Sequence, residues 1–188
     1  MHKQTLRDAL ITKRKMLVRD TGAPEAAAAR FMTSGLLPAG ACVVAAYVAT
    51  GSEMDTAPLL ARLRAAGHDV ALPVGVDAAQ PLLFRRAAAD AAQGVDIHGI
   101  PAPRVSQPVV DPDLVVVPLL GFDRRGNRLG RGGGHYDRTL AALRLARPRR
   151  IIGLAFDGQK IEDCLAEDHD ERLDAVVSER RVYLFDDI

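Results

Sequence analysis

The residues best placed to do chemistry lie between Arg124 and Asp137, just after the apolar run Leu114 to Leu120. Arg124, Arg125, Arg128 and Arg131 supply positive charge there, and Gly130, Gly132, Gly133 and Gly134 cluster around the last of them. Strand, glycine-rich basic loop, helix is the order that builds an anion site. Glycines let backbone N–H groups close on phosphate oxygens, and a following helix adds its partial positive charge. Arginine forks strengthen such a site. Asp137 follows the glycines, where a cation bridging phosphates would need an oxygen ligand.

The segment is neither a Walker loop nor a dinucleotide fingerprint, since neither GxxxxGK[ST] nor a strand-linked GxGxxG occurs. Glycine clustering alone is equally compatible with a flexible surface turn. The flanking R-L-G-R and Y-D narrow the reading.

The surrounding pattern alternates strands and helices. Residues 3–18 carry Leu6, Leu10 and Leu17 at helical spacing, with Lys3, Arg7 and Arg14 as a cationic stripe beside them. Such charges usually form a solvated face. A second helix is expected over 26–34 and a buried strand over 42–48. TGSEMDT then reads as a turn and helix cap, with Asp55 or Thr56 capping, Pro58 in the first turn and Gly67 as the stop. Further strands are expected at 70–74, 82–85, 114–120, 151–156, 176–177 and 182–185, and a helix at 136–146. The alanine-rich 87–92 stretch is ambiguous, and 99–112, with four prolines, reads as a long irregular connection. The strands at 42–48 and 70–74 form a β-α-β unit and should be parallel. The whole predicts one domain over 1–188: a three-layer α/β/α fold with a mainly parallel sheet, and a cleft beyond the strands' carboxyl ends.

The chain has 188 residues and a formal net charge of +1, so any basic site is local. Cys42 and Cys164 match no metal or redox spacing. His68, His98 and His169 lack metal-like spacing and read as non-ligands. The charged N-terminus does not read as a secretory signal. No apolar run approaches the ~18 residues of a membrane span. The cytoplasm is the expected compartment, with a monomer preferred over an oligomer.

The segment GFDRRGNRLGRGGGHYDR closely resembles the signature of the 5-formyltetrahydrofolate cyclo-ligase family, approximately G-x-x-F-D-x-x-G-x-R-L-G-x-G-x-G-Y-Y-D. Weaker likeness extends to Lys3 and Arg7, to Glu53-Met54-Asp55-Thr56, to GIPAP at 99–103, and to His169, Asp170 and Asp174. His135 stands where the family usually has tyrosine. The resemblance implies an ATP- and Mg²⁺-dependent cyclisation of 5-formyltetrahydrofolate to 5,10-methenyltetrahydrofolate through a phosphorylated formyl group. It implies ATP binding by Lys3, Arg7 and the run Arg128, Leu129, Gly130, Arg131, Gly132, Gly133, Gly134, His135 and Tyr136. It implies folate contacts from Thr50, Asp55, Arg131 and His135, with Arg131 as the catalytic cation and Asp137 and Asp174 as Mg²⁺ ligands. Its partners are small molecules, ATP and a reduced folate. No Ser-His-Asp or Cys-His set competes with this scheme, which requires no protein nucleophile.

Three other readings remain open at this level. A sugar-phosphate isomerase also uses glycine loops at strand ends but needs no ATP. A paralogue could keep the nucleotide site and change substrate. A polyanion-binding module would use Arg124-Arg125 and the RPRR run at 147–150, but aromatics amount to only 4% of the chain, against nucleic-acid binding.

Overall fold

A computed structural model of the chain describes residues 2–88 and 94–185. In chain order the elements are α1 (Lys3–Leu17), α2 (Ala23–Thr33), β1 (Val43–Ala45), α3 (Ala57–Ala65), β2 (Asp69–Val74), β3 (Leu83–Arg86), β4 (Gly94–Val95) and β5 (Pro101–Ala102). They continue as β6 (Leu114–Val117), β7 (Gly121–Phe122), β8 (Arg128–Leu129), α4 (His135–Ala146), β9 (Arg150–Leu154), a 3₁₀ turn (Asp157–Gln159), β10 (Ala175–Val177) and β11 (Val182–Leu184). Residues 89–92 of the ambiguous alanine-rich stretch lie outside the described residues.

The central sheet has seven strands in the order β11-β10-β9-β6-β1-β2-β3. The five inner strands run parallel, as expected for β1 and β2, and antiparallel β3 and β11 close its edges. Side chains alternate between its two faces. Val44, Leu72, Val116 and Ile152 pack with Ala27, Phe31, Leu59 and Leu63 of α2 and α3. Ala45, Val115, Val117 and Ile151 pack with Leu140 and Leu143 of α4. Burial on both faces is why these strands are continuous apolar runs rather than alternating ones.

Helix α1 closes one end of the sheet's carboxyl edge: Leu6 and Leu10 pack with Leu120, Leu129 and Cys164. Two short ladders interrupt regions expected to be irregular. β5, inside the proline-rich connection, pairs with β4 just before it, and β7 pairs with β8 across the basic loop. Dipeptide strands are below the length at which periodicity is visible.

Candidate functional site

The parallel strands end at one cleft. Tyr47 and Val48 follow β1, Pro73 lies near the end of β2, and Pro118 and Leu119 follow β6. Residues 130–134 and Tyr136 of α4 form the wall opposite. Arg14, Thr50, Glu53, Asp96, His98, Arg128, Arg131, His135 and Asp137 bring the charged and polar groups.

The basic segment divides into two parts. Asp123, fully buried, accepts from the N–H groups of Arg125 (2.9 Å), Asn127 (3.1 Å) and Cys164 (3.3 Å) and from the Asn127 amide (2.9 Å). Its burial alone would raise its pKa; these bonds outweigh that and hold it below the ordinary value. The turn so fixed carries Arg124 and Arg125 away from the cleft, into a surface groove with Lys160 and Asp163. Those two arginines therefore do not serve the anion site as the bare sequence suggests.

The second part does face the cleft. Gly132 has φ +97°, and a Cβ there would lie 3.1 Å from the Arg7 guanidinium carbon. Arg7 Nε donates to the Gly130 carbonyl at 3.1 Å, so α1 delivers its cation onto the loop. Gly134, at φ +66°, is the N-cap of α4, and no side chain caps that helix. The first-turn N–H groups of α4 thus remain available as donors beside the glycines. Arg131 is half-exposed: its Nη2 donates to the Thr50 carbonyl at 3.1 Å and lies 3.2 Å from Glu53 Oε1. Arg128 is buried, 2.6 Å from Asp137 Oδ1 and 5.9 Å from the Tyr136 ring centroid. Its Nε has no hydrogen-bond partner.

Of the acidic pair in the 50–56 segment, Glu53 rather than Asp55 lines the cleft. Glu53 accepts from the Thr50 N–H at 2.8 Å and its hydroxyl at 3.2 Å, and Arg14 Nη1 lies 3.9 Å away. Asp55 instead accepts from the Ala57 N–H at 2.9 Å, an Asx turn just ahead of α3, whose N-cap position is Thr56 without a side-chain cap bond. The loop is held by the Tyr47 hydroxyl on the Met54 carbonyl (2.8 Å) and the Thr56 hydroxyl on the Tyr47 carbonyl (2.6 Å). Burial, reinforced by Glu53, raises the pKa of both Tyr47 and Tyr136, keeping them neutral donors.

Arg14 departs furthest from the sequence expectation. It is only 2% exposed, with Nε on Ser52 Oγ at 3.1 Å and Nη1 on the Leu119 carbonyl at 2.9 Å. The signal for this was present: Arg14 lies four residues after Leu10 and three before Leu17, on the apolar stripe.

His135 faces the cleft and meets His98 edge to face, with ring centroids 4.7 Å apart. His98 is carried there by the turn after β4, where Asp96 accepts from the N–H groups of Gly75, His98 and Ile100. Burial, then His98 and Arg138, lower the His135 pKa from 6.5. The imidazole is therefore a neutral ring at neutral pH, not an added cation for phosphate.

Lys3 does not line the cleft; it lies 2.8 Å from Asp170 and 3.3 Å from Glu167. Asp137 and Asp174 do not converge. Asp174 lies at the amino end of β10, where it accepts from the Ile151 N–H at 2.6 Å and pairs with Arg144 at 3.2 Å. Arg144 is seven residues beyond Asp137 on α4, roughly 10 Å by helical rise. Among the described residues no group of three His, Cys, Asp or Glu side chains is placed to hold a metal. Mg²⁺ commonly takes one carboxylate plus phosphate oxygens and water, a set that Asp137 fits and Asp174 does not. At the same far edge Arg147 and Arg149 pair with Asp111, and Arg150 donates to the Leu36 carbonyl. The RPRR run is thus committed to packing rather than displayed to a polyanion.

Residues 1–179 match the 5-formyltetrahydrofolate cyclo-ligase family. The chain is 34% identical over 186 residues to the 5-formyltetrahydrofolate cyclo-ligase of Mycolicibacterium smegmatis, covering 95% of this chain and 94% of that one. It is 35% identical over 145 residues to the enzyme of the same name from Escherichia coli K12, covering 74% and 79%. The solution structure of 5,10-methenyltetrahydrofolate synthetase from Aquifex aeolicus superposes with a TM-score of 0.79 at 27% identity, over 100% of this chain and 95% of that one.

Proposed function

The chain belongs to the 5-formyltetrahydrofolate cyclo-ligase family, and from that premise we propose that its cleft binds ATP with Mg²⁺ and a reduced folate together. The reaction converts 5-formyltetrahydrofolate and ATP to 5,10-methenyltetrahydrofolate, ADP and phosphate. The formyl oxygen attacks the γ-phosphorus, the bond to the β-phosphate oxygen breaks, and ADP leaves. The resulting iminium carbon is attacked by nitrogen 10, which loses its proton. The C–O bond then breaks and phosphate departs with the oxygen. Every step is positioning and charge neutralisation, which suits a site without a protein nucleophile.

The observation that carries this reading is the convergence of Arg7, Arg131 and the uncapped α4 N-terminus on Gly130–Gly134, with Tyr47, Glu53, Tyr136 and His135 on the walls. The cations and N–H groups of the loop hold the triphosphate, and Lys3, one turn before Arg7 on α1, turns to it from Asp170. Arg131, on the loop yet in contact with Thr50 and Glu53, stands between the two substrates and neutralises the phosphoryl group in transfer. Bound Mg²⁺ would neutralise charge on the β- and γ-phosphates, with Asp137 as its protein ligand after release from Arg128. The aromatic and imidazole rings flank the flat pterin, and Glu53 accepts from its N–H donors.

The test is spectroscopic. Purified protein with 5-formyltetrahydrofolate, ATP and Mg²⁺ should develop the methenyltetrahydrofolate absorbance, and omission of ATP or Mg²⁺ should abolish it. Equal rates without ATP would defeat the scheme.

A further inference from the structure

Arg14 has no part in the scheme above, yet it is the cleft's one fully buried cation among the described residues without a short ion pair of its own. Its fork is fixed. Ser52 Oγ and the Leu119 carbonyl hold Nε and Nη1, and its stem lies on the stripe that docks α1. Arg131 is its opposite: 54% exposed, on a glycine loop, and resting on the carboxylate of Glu53 at 3.2 Å. Glu53 is therefore flanked by one immobile and one mobile cation. Its side chain is only 9% exposed, so it depends on having a counter-charge. Truncating one partner of such a buried pair strands the other, and displacing it does the same.

We propose that Arg14 is a positioning residue: it is the permanent counter-ion of Glu53, and it lets Arg131 leave Glu53 for the nucleotide phosphates without stranding a buried carboxylate. Arg131 and Arg14 share Glu53 Oε1, at 3.2 and 3.9 Å. When a triphosphate enters, Arg131 turns to it, and Glu53 keeps Arg14 beside Oε1 at 3.9 Å while that oxygen, relieved of the 3.2 Å contact to Arg131, can accept from the second substrate. Nucleotide binding thereby prepares the folate side of the cleft. This inference rests on the assignment of Arg131 to nucleotide phosphate.

The test is a double-mutant cycle read on nucleotide affinity. Wild type, Arg14→Met, Glu53→Gln and the double variant are titrated by calorimetry with a non-hydrolysable ATP analogue and Mg²⁺. Arg14→Met removes charge and donors but keeps an unbranched stem. It should weaken the analogue at least tenfold, because Arg131 can then leave only by stranding Glu53. The double variant should return to within about threefold of wild type, because a neutral amide at position 53 needs no counter-ion. If Arg14 merely braces α1, the loss will be the same whether position 53 carries a carboxylate or an amide, and the proposal falls. Should Arg14→Met not fold, Arg14→Lys in the same cycle keeps the charge. Analogue affinity within threefold of wild type is then expected, and a tenfold loss overturns the proposal. Methenyltetrahydrofolate formation by wild type is measured alongside. Wild type that binds the analogue and passes the cycle but forms no product refutes the reaction and leaves Arg14's role standing. Turnover with an additive cycle refutes Arg14's role alone, and wild type that does not bind the analogue refutes both.

Discussion

Removing the Arg131 side chain separates catalysis from folding more cleanly than any other single change in the cleft. The guanidinium is 54% exposed and holds two contacts, the Thr50 carbonyl at 3.1 Å and Glu53 at 3.2 Å. An exposed ion pair contributes about 0–1 kcal/mol, and Glu53 keeps Arg14 and both Thr50 donors, so Arg131→Ala should cost the fold less than about 1 kcal/mol. In the proposed reaction the same side chain stands between the two substrates. Loss of one preorganised donor to a developing charge costs roughly 2–4 kcal/mol of transition-state stabilisation, or about 30- to 900-fold in rate. The assays are kcat/KM for methenyltetrahydrofolate formation and urea unfolding of the same preparation. A rate within threefold of wild type would refute the assignment. So would a stability loss above about 2 kcal/mol, since the activity deficit would then report an altered fold.

Asp137→Asn should raise the Mg²⁺ concentration for half-maximal rate severalfold, whereas Asp174→Asn should leave it unchanged and instead cost about 1–3 kcal/mol in urea unfolding through its bonds to Ile151 and Arg144; reversed responses would put the metal at the wrong carboxylate. Gly132→Ala combines a left-handed φ with a 3.1 Å approach to Arg7, so ATP KM should rise at least tenfold with a folding cost of about 1–2 kcal/mol, and an unchanged KM would remove this glycine from the phosphate site. The folded-state pKa of His135 lies below 6.5, so between the two values the folded state binds fewer protons than the unfolded chain. Its neutral-ring stability is complete above pH 6.5 and is lost as pH falls below it; His135→Tyr should remove that component from the stability–pH profile while retaining activity, and superimposable profiles would contradict the sign.

Architecture was legible because burial on both faces turns parallel strands into unbroken apolar runs such as Leu114–Val117 and Ile151–Leu154. The glycine loop was legible for a local reason too, as left-handed backbone leaves its mark in residue type. What the chain concealed were outcomes of tertiary packing. Glu53 and Asp55 are two residues apart in an aperiodic loop, and which one faces the cleft is set by the burial of Met54 and by the bonds from Tyr47 and Thr50. Arg124, Arg125 and Arg128 look alike in sequence, but the buried Asp123 turns two of them outward and leaves the third inside. Asp137 and Asp174 both follow glycine or acidic motifs, yet Asp137 sits in the first turn of α4 at the cleft and Asp174 at the amino end of β10, beside Arg144.

The first helix has a consequence in time. Its anchors are Leu119, Gly130 and Asp170, which follow Arg14, Arg7 and Lys3 in the chain by 105, 123 and 167 residues. At about 5–20 residues per second, α1 is synthesised roughly 8–30 s before Asp170 is made. Until Leu120 and Leu129 are made, its apolar face lacks the side chains on which Leu6 and Leu10 pack, while the central strands β1, β2 and β6 already precede them in the chain. The cations of α1 therefore cannot reach the glycine loop until Gly130 has been made. A nascent chain halted before residue 119 would carry much of the sheet and no cleft able to hold a nucleotide.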